Sequence, residues 1–375
     1  MNKKKGGRIP LVSGHPPVTR VHFSGIVPLM SLFSCKPFQA CLAALACLPL
    51  GSIANAGITI DWVAVGDPGN SNDLFGSGIG RVVYSYQIGK YDVTIGQYAA
   101  FLNAAAATDT YSLYNSRMAS DGNIKGIQQN GSSGNYTYSV IGSADRPITY
   151  VSWFDAARFC NWLTNGQGNG STETGAYSLN GTTSGNAVAA DPGAAFRLPT
   201  ENEWYKAAYY SPIKNPMGDY YAYATQSDTP PGNTIGSGTN QANNKTGAGY
   251  SVTQSSIDDP NQNYLTDVGA FSGSGSFYGT FDQNGNVFQW NDMDGTTGSS
   301  RGLRGGCWFL DSQFFSSSSQ NFLFDPANES NAIGFRLASP VASGVPEIDP
   351  AGFGSVFALV AGALGLLERR RLKAS

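Results

Sequence analysis

Between residues 57 and 340 the apolar positions fall in short runs separated by turn-forming residues, and three runs switch from a strand period to a helical one. Ile58-Thr59-Ile60-Asp61-Trp62-Val63 alternates apolar and polar residues as a half-buried strand does, and Val82–Tyr91 has strand character again. Thr94 with Gln97 three residues on is a capping box, and Tyr98, Phe101 and Leu102 predict the buried stripe of the helix it starts. Ser152 with Asp155 repeats the device; behind it Trp153, Ala156, Ala157, Cys160 and Leu163 recur at helical spacing on one face, which places Cys160 in the core. In the third box Pro199 bars helix before Thr200, and Glu203 reaches back to the cap. The last third predicts short strands around Asn286–Trp290, Leu303–Phe309 and Gly334–Leu337.

The segments between these runs are polar. Ala104–Asp145 and Asn165–Gly193, rich in Gly, Ser, Asn and Ala, predict long surface insertions. Residues 211–263 predict loops held by their own turns or by a bound cation. Gly76-Ser77-Gly78-Ile79-Gly80 looks like a phosphate loop but lacks a following helix with a basic residue, so it predicts a plain turn.

The two ends follow a different pattern. Leu42–Leu50 is almost wholly apolar and runs into Ile53-Ala54-Asn55-Ala56, which predicts a signal peptide over 1–56 cleaved after Ala56, with Met30 as an alternative start. Pro49 and Gly51 interrupt the run and argue against a retained helix, and Ala44 three residues before Cys47 argues against a lipoprotein signal. Ala351–Leu367 carries no charge and ends in Glu368-Arg369-Arg370-Arg371, which predicts an inner-membrane helix with the body on the far side from the arginines.

With the ends set aside, 57–344 is one domain carrying 13 Lys/Arg and 23 Asp/Glu, a net charge of −10 that argues against nucleic-acid partners. Both histidines, His15 and His22, precede Ala56, as do Cys35, Cys41 and Cys47. The body therefore offers no imidazole for a catalytic pair or for a zinc or iron site. Cys160 and Cys307 remain: a candidate redox thiol or disulfide pair, or two core thiols.

Six blocks, in order, carry a resemblance: Ile88–Thr94, Pro147–Trp153, Phe196–Trp204, Asn284–Trp290, Arg304–Trp308 and Gly334–Leu337. Over about 80–338 the chain resembles the formylglycine-generating enzyme (sulfatase-modifying factor) family. The resemblance implies an α+β domain with a C-type lectin-like fold, loop-rich, with short strands and few helices. It also implies copper(I) on two cysteines four and nine residues after the second glycine of the Gly-Gly motif. Counted from Gly306 these positions are Leu310 and Phe315, neither of which can replace a thiolate, so copper and the family's oxidase chemistry are not expected. The iron-dependent relatives need histidines that the body lacks. The resemblance further implies calcium sites at Asn284, Gly285, Val287 and Gln289, where Gln289 replaces the usual glutamate, and at Asn243, Asn244, Asp259 and Asn261. Val345-Pro346-Glu347-Ile348 followed by the apolar segment and the basic cluster resembles a PEP-CTERM sorting tail, which implies recognition of Pro346 and Glu347 by exosortase-type machinery of a Gram-negative-type bacterium. A plain anchor is the alternative.

Two functions follow as expectations. One is an exported, tethered or cell-surface module, non-catalytic, that presents loops to an extracellular polysaccharide or protein. The other is an oxidase of the formylglycine-generating type with altered ligands. A hydrolase built on Glu201 and Glu203 is disfavoured because both belong to the first turn of a capped helix.

Overall fold

The computed structural model describes residues 57–341, so the predicted signal peptide, the Pro346-Glu347 motif and the Ala351–Leu367 helix all lie outside the described residues. Among the described residues four α-helices and thirteen short strands are joined by loops. In the first sheet Tyr86–Gly89 is central, paired antiparallel with Trp62–Val65 on one side and Ala338–Pro340 on the other, which closes the two ends of the domain on each other. The second sheet runs Phe322–Phe324, Arg301–Arg304, Phe288–Asn291, Ile333–Phe335, with the last pair parallel. Short hairpins such as Ile127–Asn130 with Thr137–Val140 complete a loop-rich α+β architecture.

All three capping boxes form. Thr94, Ser152 and Thr200 each accept from the main-chain N–H three residues on, and Gln97, Asp155 and Glu203 each accept from the cap. Of the helices they start, Trp153–Thr164 is buried on every side except its last residue and forms the centre of the core. Its Phe159 and Trp162 meet Tyr98 and Phe101 of helix Ile95–Ala105 at centroid separations of 5.4–6.1 Å, and Phe159 also meets Phe335 of the second sheet at 5.4 Å. Aromatic edges and faces at these distances add to simple burial.

Several expectations are corrected. Residues 104–145 are not a surface insertion, for Leu113, Met118, Ile124, Ile127 and Tyr138 are buried in the main core. The segment reaches the core through single apolar side chains set among polar ones, a spacing too sparse to register as a period. Ile127→Ala should therefore cost about 2–5 kcal/mol in urea unfolding, whereas a true surface insertion would lose almost nothing. Residues 165–193 likewise contribute Ala176, Tyr177, Leu179 and Ala187. The strand expected over 303–309 stops at Arg304, because Gly305 (φ 101°) and Gly306 (φ 69°) turn the chain into the left-handed region. The expected strand at 58–63 begins at Trp62 instead.

Candidate functional site

After the Gly-Gly turn come Cys307, Trp308, Leu310 and Phe315, the last two at the positions where the resemblance puts the metal's cysteines. Phe315 is fully buried and its ring packs over Gly306, where an added Cβ would clash with the ring. Its main-chain carbonyl accepts from Tyr209 Oη (2.7 Å) and Asn284 Nδ2 (2.9 Å). Leu310 packs against the core, its carbonyl accepting from the Lys245 N–H and its N–H donating to the Cys307 carbonyl. Cys307 is fully buried, and burial pushes its thiol up to about 12; burial also raises the Cys160 thiol well above the usual range. Both cysteines are free, so the candidate disulfide is not formed and neither residue offers a thiolate at neutral pH. No two soft donors meet at this turn, and the residues present do not fit copper.

Beneath the turn lies a buried polar network that joins both sheets. The Arg336 guanidinium, fully buried, donates from Nε to Gln289 Oε1 (2.6 Å), from Nη1 to the Gly89 carbonyl (2.9 Å), and from Nη2 to the Phe281 carbonyl (2.7 Å) and Asp92 Oδ1 (3.0 Å). Trp204 Nε1 donates to the same Gln289 Oε1 at 2.6 Å. With two donors on that oxygen the amide orientation is set, and Nε2 is turned to the Asp282 carbonyl at 2.6 Å. A glutamate here would put a second oxygen against that carbonyl, an arrangement a cation would bridge; the glutamine amide fills the place with an N–H. Asn284 looks elsewhere, accepting from the Ala224 N–H at 2.7 Å. The Gly285 N–H donates to the Gly305 carbonyl, and Val287 is buried in the main core. The Asn284 and Gln289 side chains of the first calcium set are thus both turned to protein partners.

In the second set Asn243 and Asp259 stand apart, and Asn243 Oδ1 is buried without a partner. Asn243 Nδ2 donates to the Tyr264 main-chain carbonyl, whereas the Asp259 N–H donates to the Tyr264 phenol oxygen, so the two residues sit at opposite ends of one tyrosine. The Asn244 carbonyl accepts from Ser251 Oγ, and the Asn261 N–H donates to Asp259 Oδ1.

The acids suspected of hydrolase chemistry are held by arginines. Glu203 meets Arg197 through two bonds of 2.5 and 2.6 Å, and its carboxyl is held below the usual range, the Arg197 guanidinium outweighing burial. Glu201 accepts from Arg304 Nε at 2.9 Å. Asp155 and Arg336 carry one signal in the sequence, a charged residue inside an apolar run, whereas Asp282 and Asp292 stand among polar residues and carry none. Asp292 accepts from Trp153 Nε1 (2.6 Å) and Tyr177 Oη (2.7 Å).

Asp155 carries a pH prediction. Burial, with the Glu329 carboxylate adding, pushes its carboxyl up to about 7 against the pull of Ser152. The folded chain then keeps a proton that the unfolded chain releases near pH 4, so this group's contribution is present at low pH and is lost as pH rises through about 7. Asp155→Asn should flatten that part of the profile, removing a slope worth about 3 kcal/mol between pH 4 and 7.5 in urea titrations. An unchanged profile would refute the assignment.

A loop-rich α+β domain with three capped helices, two small sheets and a Gly-Gly turn over a buried Arg-Gln-Trp network defines the class of protein. Residues 79–341 match the family described as Sulfatase-modifying factor enzyme 1-like domain, and the chain belongs to that family. No curated protein matches the chain. Among solved structures, one titled as the crystal structure of CarF is similar at 20% identity, covering 76% of this chain and 99% of that one, with a TM-score of 0.47. Treponema denticola variable protein 1 is similar at 20% identity, 76% and 97% coverage and a TM-score of 0.45. PvdO from Pseudomonas aeruginosa is similar at 18% identity, 76% and 93% coverage and a TM-score of 0.36.

Proposed function

We propose that this chain is an exported, membrane-tethered protein whose sulfatase-modifying-factor-like domain, of C-type lectin-like type, binds and presents rather than catalyses. The observation that carries the reading is the pair Leu310 and Phe315. At the two positions where the family resemblance requires thiolates stand a packed aliphatic side chain and a buried aromatic ring lying over Gly306. Neither can ligate a metal, and both remaining thiols are buried away from thiolate chemistry. The apolar segment and arginine cluster after residue 350 support tethering, with exosortase-type machinery as the partner that would process the tail. The ligand class expected for the domain is an extracellular polysaccharide or protein.

The test is to incubate the purified chain with copper, a reductant and a cysteine-containing sulfatase-type peptide, and to trap any aldehyde with a hydrazide. The expected result is no aldehyde above a buffer control; turnover would establish the oxidase reading. A glycan array and pull-down with and without calcium would then identify the partner.

A further inference from the structure

Phe75, Met217 and Leu74 are the three most exposed large apolar side chains among the described residues, at 95, 92 and 82%, and Ile213 is 76% exposed. They come from two loops. Leu74, Phe75 and Met217 border one open cleft of about 480 Å³ together with Tyr210 and Tyr220, and Ile213 is on the same hairpin as Met217. The loops are built to turn apolar side chains outward. Asp73 faces inward, its Oδ1 accepting from the Phe75 and Gly76 N–H groups and its Oδ2 from Tyr205 Oη. Asn215 Oδ1 accepts from the Met217 N–H, which closes the hairpin tip.

The last strand ends beside the segment that follows the first of these loops. Pro340 pairs with Tyr86, and Val341 is the last residue described. A second cleft, lined by Val83, Tyr84 and exposed Arg81, meets the first at Asn72. Val83, Tyr84 and Val341 are themselves 62, 47 and 43% exposed. Ala351, where the uncharged segment begins, follows Val341 by ten positions, a reach of at most ~36 Å when extended. A segment that inserts from Ala351 on would keep the Tyr86 end of the first sheet close to the bilayer.

We propose that the face bearing Leu74, Phe75, Ile213 and Met217 docks on the lipid bilayer into which the C-terminal segment inserts. The inference rests on the tether proposed above and adds an orientation. The apolar tips enter the headgroup boundary, tyrosines line the cleft behind them, and Arg81 offers a guanidinium to headgroup phosphates. Tail and patch together provide the two contacts that hold a domain at one angle to a membrane, leaving the remaining loops facing outward.

The chain from Gly57 to Ser375, which lacks the signal peptide and with it Cys35, Cys41 and Cys47, is reconstituted in phosphatidylethanolamine–phosphatidylglycerol vesicles. Phe75→Cys, Met217→Cys and Ile257→Cys are labelled separately with an environment-sensitive maleimide. Cys160 and Cys307 are buried and stay unlabelled. Ile257 is the control, being 76% exposed on a loop that lines neither cleft. The expected result is a blue shift at 75 and 217, with quenching by acyl-brominated lipid several-fold greater than at 257. Equal quenching at all three positions would overturn the proposal. Shielding that persists without lipid, with cross-links between copies, would assign the face to a second copy and overturn it too. Alkaline carbonate extraction reads the tether separately. A chain that is released yet still quenched at 75 and 217 refutes the tail and supports the docking; one that is retained without quenching refutes the docking alone.

Discussion

Replacing Arg336 with methionine should lower the stability of the domain by about 3–5 kcal/mol, read as a shift of the urea midpoint at unchanged slope. The guanidinium makes four bonds of 3.0 Å or less, to Gln289, Gly89, Phe281 and Asp92, and is fully buried. Methionine fills much of the volume but leaves two main-chain carbonyls with a donor withdrawn and the buried Asp92 carboxyl without its cation. Arg336→Lys should recover little, since a single ammonium cannot span a planar fork of acceptors contributed by different strands and loops. Retention of stability in the lysine variant would show that charge, and not the fork, is what the site needs.

Gln289→Glu is expected to cost about 2–3 kcal/mol in the presence of a chelator, because it replaces the Nε2–H donor with an oxygen facing the Asp282 carbonyl. The Asp282 carboxyl, half-buried with its Oδ2 accepting from the Gly269 N–H, is itself pushed up to about 6 by desolvation, so added negative charge is poorly tolerated. Millimolar calcium should restore part of the loss in the glutamate variant and leave the native chain's melting temperature unchanged. A native chain stabilised by calcium would refute the view that the amide fills the cation's place.

Much of this architecture was legible in the sequence because it depends on local chemistry. Thr94 with Gln97, Ser152 with Asp155 and Thr200 with Glu203 announce their helices through bonds spanning three residues, and all three form. Cys160 was placed in the core by helical spacing alone and is fully buried. The segments around Ile127 and Tyr177 were misread because their burial depends on what approaches them from far along the chain, and their own composition is that of loops.

At the candidate site the division has the same cause. The identities at 310, 315 and 289 are matters of residue type, so the sequence by itself removed the thiolates and the glutamate. Which way Gln289 points was decided by Trp204 and Arg336, 85 and 47 positions away, and the separation of Asn243 from Asp259 by the two ends of Tyr264. A side chain's chemistry is carried in its code letter. Its hydrogen-bond partners are chosen by the fold, because donors and acceptors can exclude an ion only once packing has brought them together without water.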